Sequence, residues 1–173
     1  ENEKVVYGIT TGFGKFSNVS ITKDGSKILQ RNLIITHAVG AGEPFNTETT
    51  RAIILLRINN LSKGYSGVKL ETVMTMIEML NKRVHPLIPQ KGSLGASGDL
   101  APLSHMVLPM IGLGEAEYNG KFMNGSEAME KSGIQIIELT SKEGLALING
   151  TQVMTAVGAL AVYDAINLAK AAD

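Results

Sequence analysis

Apolar residues along this chain recur at helical spacing in several stretches, and glycine-rich breaks separate them. Between Ser26 and His37, the positions of Ile28, Leu29, Leu33 and Ile34 approximate the three- and four-residue rhythm that gathers side chains on one helix face. Thr47 is placed to cap the next helix, with Glu48 in its first turn, where a negative charge meets the positive end of the helix dipole. Ile53 and Leu56 supply its buried face. A third helix follows from Val73, Met76, Ile77, Leu80 and Val84, and Pro86 and Pro89 then force the chain out of helical geometry. Asp99 is placed to cap a helix with Leu100, Leu103, Val107 and Met110 on one face; Pro102 is tolerated in its first turn and Pro109 kinks or ends it.

The β signals are fewer. Tyr118-Asn119-Gly120-Lys121 predicts a hairpin, because Asn-Gly accepts the positive φ angles of a two-residue turn. Ile134 to Leu139 is rich in β-formers and is expected to add a strand; Ser141 is placed to cap a short helix, and an Ala-rich helix runs from Thr151 onward. The predicted class is mainly α with a small β element. No repeat, low-complexity tract or linker divides residues 1–173, so they form a single piece. The first residue is not Met and the last helix meets no Gly, Asn or Pro stop, so the sequence is expected to be cut from a longer chain.

Composition narrows the chemistry. With 16 basic residues against 16 acidic ones, no net field draws in nucleic acid or an anionic membrane surface. The absence of cysteine removes disulfides, thiolate metal sites and thiol nucleophiles together. No uninterrupted apolar run approaches a membrane span, so neither a membrane nor a nucleic acid is an expected partner, and the cytoplasm is the default location. His37, His85 and His105 lack the spacing of a metal motif, so no metal is expected.

Two glycine-rich segments imitate nucleotide-binding loops and fail. Gly12-Phe13-Gly14-Lys15 is followed by Phe16 rather than Ser or Thr, and Gly40-Ala41-Gly42 has Pro44 where a helix should begin. Gly95-Ala96-Ser97-Gly98 comes within one residue of the GxSxG nucleophile elbow, with Asp99 in place of the last Gly. A serine hydrolase is therefore one alternative, although Gln90-Lys91-Gly92-Ser93-Leu94 makes a poor strand before such an elbow. A plain glycine-rich loop is another, within a helical interaction module that has no catalytic role.

The longer run Leu94-Gly95-Ala96-Ser97-Gly98-Asp99-Leu100-Ala101-Pro102-Leu103-Ser104-His105 resembles the signature of the aromatic amino acid and histidine ammonia-lyases. Three further segments resemble that family in the same order: Tyr7-Gly8-Ile9-Thr10-Thr11-Gly12-Phe13-Gly14, Thr36-His37-Ala38-Val39-Gly40-Ala41-Gly42-Glu43-Pro44, and Glu143 through Gln152. The resemblance implies the N-terminal part of the multi-helix ammonia-lyase fold, without its C-terminal helical part. It also implies a prosthetic group made from Ala96, Ser97 and Gly98: the Gly98 nitrogen attacks the Ala96 carbonyl, and loss of two waters leaves a methylidene-imidazolone. The residue types suit that chemistry, since Gly98 has no Cβ to hinder attack and Ser97 has a hydroxyl that can leave.

By the same resemblance Tyr7 is the base that removes the β proton, His37 contacts the substrate ring, and the Asn149 amide holds the prosthetic ring or the substrate carboxylate. An unperturbed tyrosine titrates at about 10, so Tyr7 needs a site that stabilises its phenolate. His37 and Gln152 tilt the substrate toward L-histidine, giving urocanate in histidine catabolism; a phenylalanine or tyrosine ammonia-lyase, or an aminomutase, shares the same prosthetic group. Thr36 departs from the family's usual Ser. The resemblance further implies a homotetramer with shared sites and no metal or diffusible cofactor. Because other site residues come from later helices, the 173-residue piece alone is expected to be inactive.

Overall fold

The computed structural model describes Val6, Thr11, Gly12 and residues 23–172. Its elements run α1 (Lys23–His37), β1 (Ala41–Pro44), α2 (Thr47–Leu61), α3 (Leu70–Asn81), β2 (His85–Pro86), β3 (Pro89–Lys91), α4 (Ala101–Val107), β4 (Glu115–Tyr118), β5 (Lys121–Asn124), α5 (Gly125–Lys131), α6 (Glu143–Ile148) and α7 (Gln152–Ala172). The mainly α class with a small β element is what the periodicity predicts, and Asn119-Gly120 does turn a hairpin, pairing Tyr118 with Lys121. Pro109 ends α4 by tightening it into a 3-10 turn over Leu108–Ile111.

The core forms where the apolar faces meet: Ile34 from α1, Ile53 and Ile54 from α2, Met76 and Met79 from α3, Leu103, Met106 and Val107 from α4, and Leu147 and Ile148 from α6. Several local expectations are corrected. The second helix is capped by Asn46, whose Oδ1 accepts the Thr49 N–H at 2.8 Å, and Thr47 is its first residue. The glycine-rich stretch at 40–44 becomes β1, which pairs antiparallel with β3 (Ala41 opposite Lys91, Pro44 opposite Pro89). Ile134 to Leu139 is not a strand; Ile134, Ile137 and Leu139 turn into the core, and the Ile137 N–H bonds singly to the Met110 carbonyl. Ser141 caps nothing, because its hydroxyl pairs with that of Ser26, and α6 instead follows Lys142 in the left-handed region.

Glu143, at the start of α6, is buried and ties three segments together. Its Oε1 accepts from the Thr72 hydroxyl and the Lys69 N–H, and its Oε2 from the Thr140 N–H and hydroxyl. Burial by itself raises the carboxyl pKa, but these hydrogen bonds outweigh it and hold Glu143 below the ordinary glutamate value. A carboxylate with a lowered folded-state pKa stabilises fully above its unfolded value, and that contribution fades as pH falls through the folded one. Glu143→Gln is therefore expected to lower stability near neutrality and to flatten its decline on the acid side of the glutamate range. Urea midpoints taken at stepped pH measure this, and parallel curves for the two proteins would contradict it.

Residues Glu143–Ala172 together are long and apolar enough to qualify as a membrane span by length and composition. The chain breaks between α6 and α7 at residues 149–151, so the stretch is two helices. In α7 only Val153 and Ala156 are buried; Met154, Val157, Val162, Tyr163, Ile166 and Leu168 are exposed.

Candidate active site

The Ala-Ser-Gly triplet lies in a bend between β3 and α4, with Ala96 and Ser97 exposed and Gly98 buried. Of Gln90 to Leu94 only Gln90 and Lys91 belong to β3, and residues 92–100 separate that strand from α4, so the turn is not the sharp strand-to-helix elbow of a serine hydrolase. Gly98 has φ +132, a backbone conformation that L side chains rarely adopt. A Cβ there would stand 2.7 Å from Asn149 Oδ1 and 2.8 Å from the Gly150 nitrogen. The neighbouring Asp99 N–H donates to the Gly150 carbonyl at 2.7 Å. Two segments singled out in the sequence, fifty residues apart, thus close on each other backbone to backbone.

Asp99 does not cap α4. The residue before α4 is Leu100, at φ 45 and without a side-chain cap. The Asp99 carboxylate is instead fully buried, and its Oδ2 accepts the Val153 N–H at 2.8 Å and the Met154 N–H at 3.3 Å, capping α7. Burial pushes its pKa up, against the opposing pull of those two N–H groups, the Arg57 charge and the Ser93 hydroxyl.

Arg57 was not singled out in the sequence, and it is the largest of the fully buried side chains. It donates to the carbonyls of Ala146 and Asn149 and to Gln152 Oε1. Burial lowers its pKa to about 10, with Asp99 opposing the shift, so it stays charged near neutrality. A Cβ on Gly150 would overlap both the Arg57 guanidinium and the Gln152 side chain. The signal was present: Ile53, Ile54, Arg57 and Leu61 share one helical stripe, and an arginine inside an apolar stripe implies a buried partner. Gln152, a marker of substrate in the resemblance, makes its hydrogen bond to Arg57 and so bears on the site through the loop at Asn149.

His37 ends α1, half-buried. Its Nδ1 lies 2.8 Å from the Leu33 carbonyl, which can only accept, so Nδ1 carries the proton and Nε2 is the nitrogen left for a ligand. Its hydrogen bonds among the described residues stay within α1, with none to the triplet or to Asn149. Tyr7 lies outside the described residues. A cavity of about 550 Å³ opens elsewhere, lined among others by Asn46, His85, Glu117, Phe122 and Val157. His85, on the wall of that cavity, is held between Glu117 at 3.1 Å and Arg51 at 3.3 Å.

A burial-locked glycine turn, an opposed asparagine and an arginine behind it form a backbone-built site rather than a side-chain triad. The sequence profile of the aromatic amino acid lyases matches residues 1–173, and the chain belongs to that family. It is 71% identical over 173 residues to the histidine ammonia-lyase of Alkaliphilus oremlandii and 69% identical to that of Clostridium tetani, covering 100% of this chain and 34% of each relative. The chain thus spans about a third of the length of these relatives. Among solved structures it resembles the histidine ammonia-lyase of Trypanosoma cruzi, with a TM-score of 0.86 and 43% identity over 92% of this chain and 31% of that one. The phenylalanine aminomutase of Pantoea agglomerans gives 0.88 and 42% over 95% of this chain and 31% of that one.

Proposed function

We propose that the full-length protein eliminates ammonia from L-histidine to give urocanate, with a methylidene-imidazolone formed from Ala96, Ser97 and Gly98. The observation that carries this reading is the closure of Gly98 on Asn149 and Gly150 in a space that admits no Cβ. The residues fit the group: the small Ala96 and Ser97 stand exposed, Gly98 has no room for a Cβ, and the Asn149 side chain reaches the same turn. Once formed, the ring would supply an electrophilic carbon for the substrate amine, which ordinary side chains do not offer.

The chain's own residues do the rest. Asn149 is anchored through its carbonyl to Arg57 and through its N–H to the Leu145 carbonyl, so its amide meets the ring or the substrate carboxylate from a fixed backbone. His37, with its proton held on Nδ1, presents Nε2 as an acceptor for the imidazole N–H of histidine. Tyr7 takes the β proton. The exposure of Ala96 and Ser97 fits a site completed by residues beyond these 173, from later helices and from neighbouring subunits of a homotetramer. The protein works in the cytoplasm on a free amino acid, without nucleic acid, membrane or metal.

Histidine is favoured over phenylalanine and tyrosine by the 71% and 69% identities to histidine ammonia-lyases. The structural likenesses weigh the two classes alike, since the aminomutase and the histidine enzyme score 0.88 and 0.86. The test is the full-length protein with L-histidine, followed by urocanate absorbance, together with its intact mass. Urocanate and a deficit of two waters mapping to residues 96–98 are the expected results. Cinnamate, coumarate or a β-amino acid as the product would move the assignment within the family. An unmodified mass would remove its chemical basis, and labelling of Ser97 by a fluorophosphonate would favour the hydrolase. The isolated 173-residue segment is expected to give no turnover.

A further inference from the structure

His105 sits on α4, seven residues beyond the triplet, and its Nε2 lies 3.0 Å from the backbone nitrogen of Gly40. An N–H group can only be received by an unprotonated ring nitrogen, so Nε2 carries the lone pair and Nδ1 the proton. Burial lowers the ring's pKa, which agrees with that state. Gly40 follows His37 by three residues and leads into β1. The packing around the contact is close: a Cβ on Gly40 would stand 3.0 Å from Nε2 and 3.1 Å from the Pro89 side chain, and one on Gly92 would stand 3.0 Å from the Gly40 Cα. The segment carrying His37 and the segment carrying the triplet therefore meet at one hydrogen bond, flanked by the β1–β3 pairing.

From this geometry we infer that His105 is a positioning residue for substrate recognition: by holding the Gly40 N–H it fixes His37 relative to the Ala96-Ser97-Gly98 turn. The inference rests on the proposed histidine elimination. His105 itself touches neither substrate nor ring. Its partner is a backbone donor, so any acceptor of suitable reach in its place serves the same end, whereas a shape mimic without an acceptor leaves the Gly40 N–H unpaired.

The test uses the full-length protein with His105→Phe, which keeps a planar ring but no acceptor, and His105→Gln, which keeps an acceptor but no imidazole. For His105→Phe the KM for L-histidine is expected to rise on the order of 10-fold, about the worth of one hydrogen bond, with a smaller change in kcat and the two-water mass deficit retained. His105→Gln restores KM to within a few-fold. Hydrogen exchange of the peptide containing Gly40 is expected to quicken in His105→Phe and recover in His105→Gln. Unchanged KM in His105→Phe, or equal losses in the two variants, overturns the inference, as does unchanged exchange at Gly40. A loss confined to kcat or to ring formation also overturns it, because the residue would then act on the triplet. If the unsubstituted protein yields no urocanate, the elimination itself fails, and the exchange data still report whether the hydrogen bond holds that loop.

Discussion

Gly98→Ala is expected to leave the full-length protein without the two-water mass deficit and to lower urocanate formation by on the order of 1,000-fold or more, about 4 kcal/mol of barrier. Two effects combine. The new methyl group would stand 2.7 Å from Asn149 Oδ1 and 2.8 Å from the Gly150 nitrogen, distances at which something must shift. It also forces an L residue to φ +132, a strain of about 1–3 kcal/mol. In the proposed cyclisation the methyl sits beside the nitrogen that would attack the Ala96 carbonyl, so crowding would fall on the step that makes the electrophile. Intact mass and circular dichroism of the same sample separate failure to cyclise from failure to fold. A folded variant that still shows the deficit would refute the requirement for glycine at this position.

Arg57→Met is expected to produce the largest loss of stability, about 3 kcal/mol, because it leaves buried acceptors without their donor. The side chain is 1% exposed and serves the Ala146 and Asn149 carbonyls and Gln152. Methionine fills a similar volume without donors, so those acceptors lose their partner and the fully buried Asp99 loses the nearby positive charge. The effect should appear as a lower urea midpoint in the full-length protein, and Arg57→Lys should lose less because it keeps the charge while giving up the fork. An unchanged midpoint for Arg57→Met would mean that the carbonyls find other donors.

Helices α1 to α4 could be read from their apolar spacing and α7 from its Ala-rich composition, but α5 (Gly125–Lys131) carries too few apolar residues to leave a period. Elements that depend on a distant partner could not be read. Ile134 to Leu139 has the composition of a strand, but Ile134, Ile137 and Leu139 go into the core beside Met110 while Ile136 stays exposed, and the segment joins no ladder. Residues 41–44 read as part of a glycine-rich break and form a strand because β3 is there to receive them. Asp99 shows the limit most clearly. Adjacency in sequence favours α4, while the folded chain brings the first turn of α7 to the same carboxylate, which accepts the N–H groups of Val153 and Met154. Within the candidate site, the meeting of Gly98 with Asn149 is visible in the structure, and the motif sequence contains both residues without saying that they touch.

Asp99 also makes α7 a lever. Its N–H donates to Gly150 and its carboxylate accepts from the first turn of α7, so the root of that helix and the Gly98 turn are tied through one residue. At 21 residues, α7 is about 30 Å long by the usual rise of 1.5 Å per residue. Over that arm a tilt of about 10° carries the far end some 5 Å, while the first turn shifts by less than about 1 Å. The exposed outer turns of α7 therefore lie at the long end of an arm whose short end is hydrogen-bonded to Asp99, the residue next to Gly98.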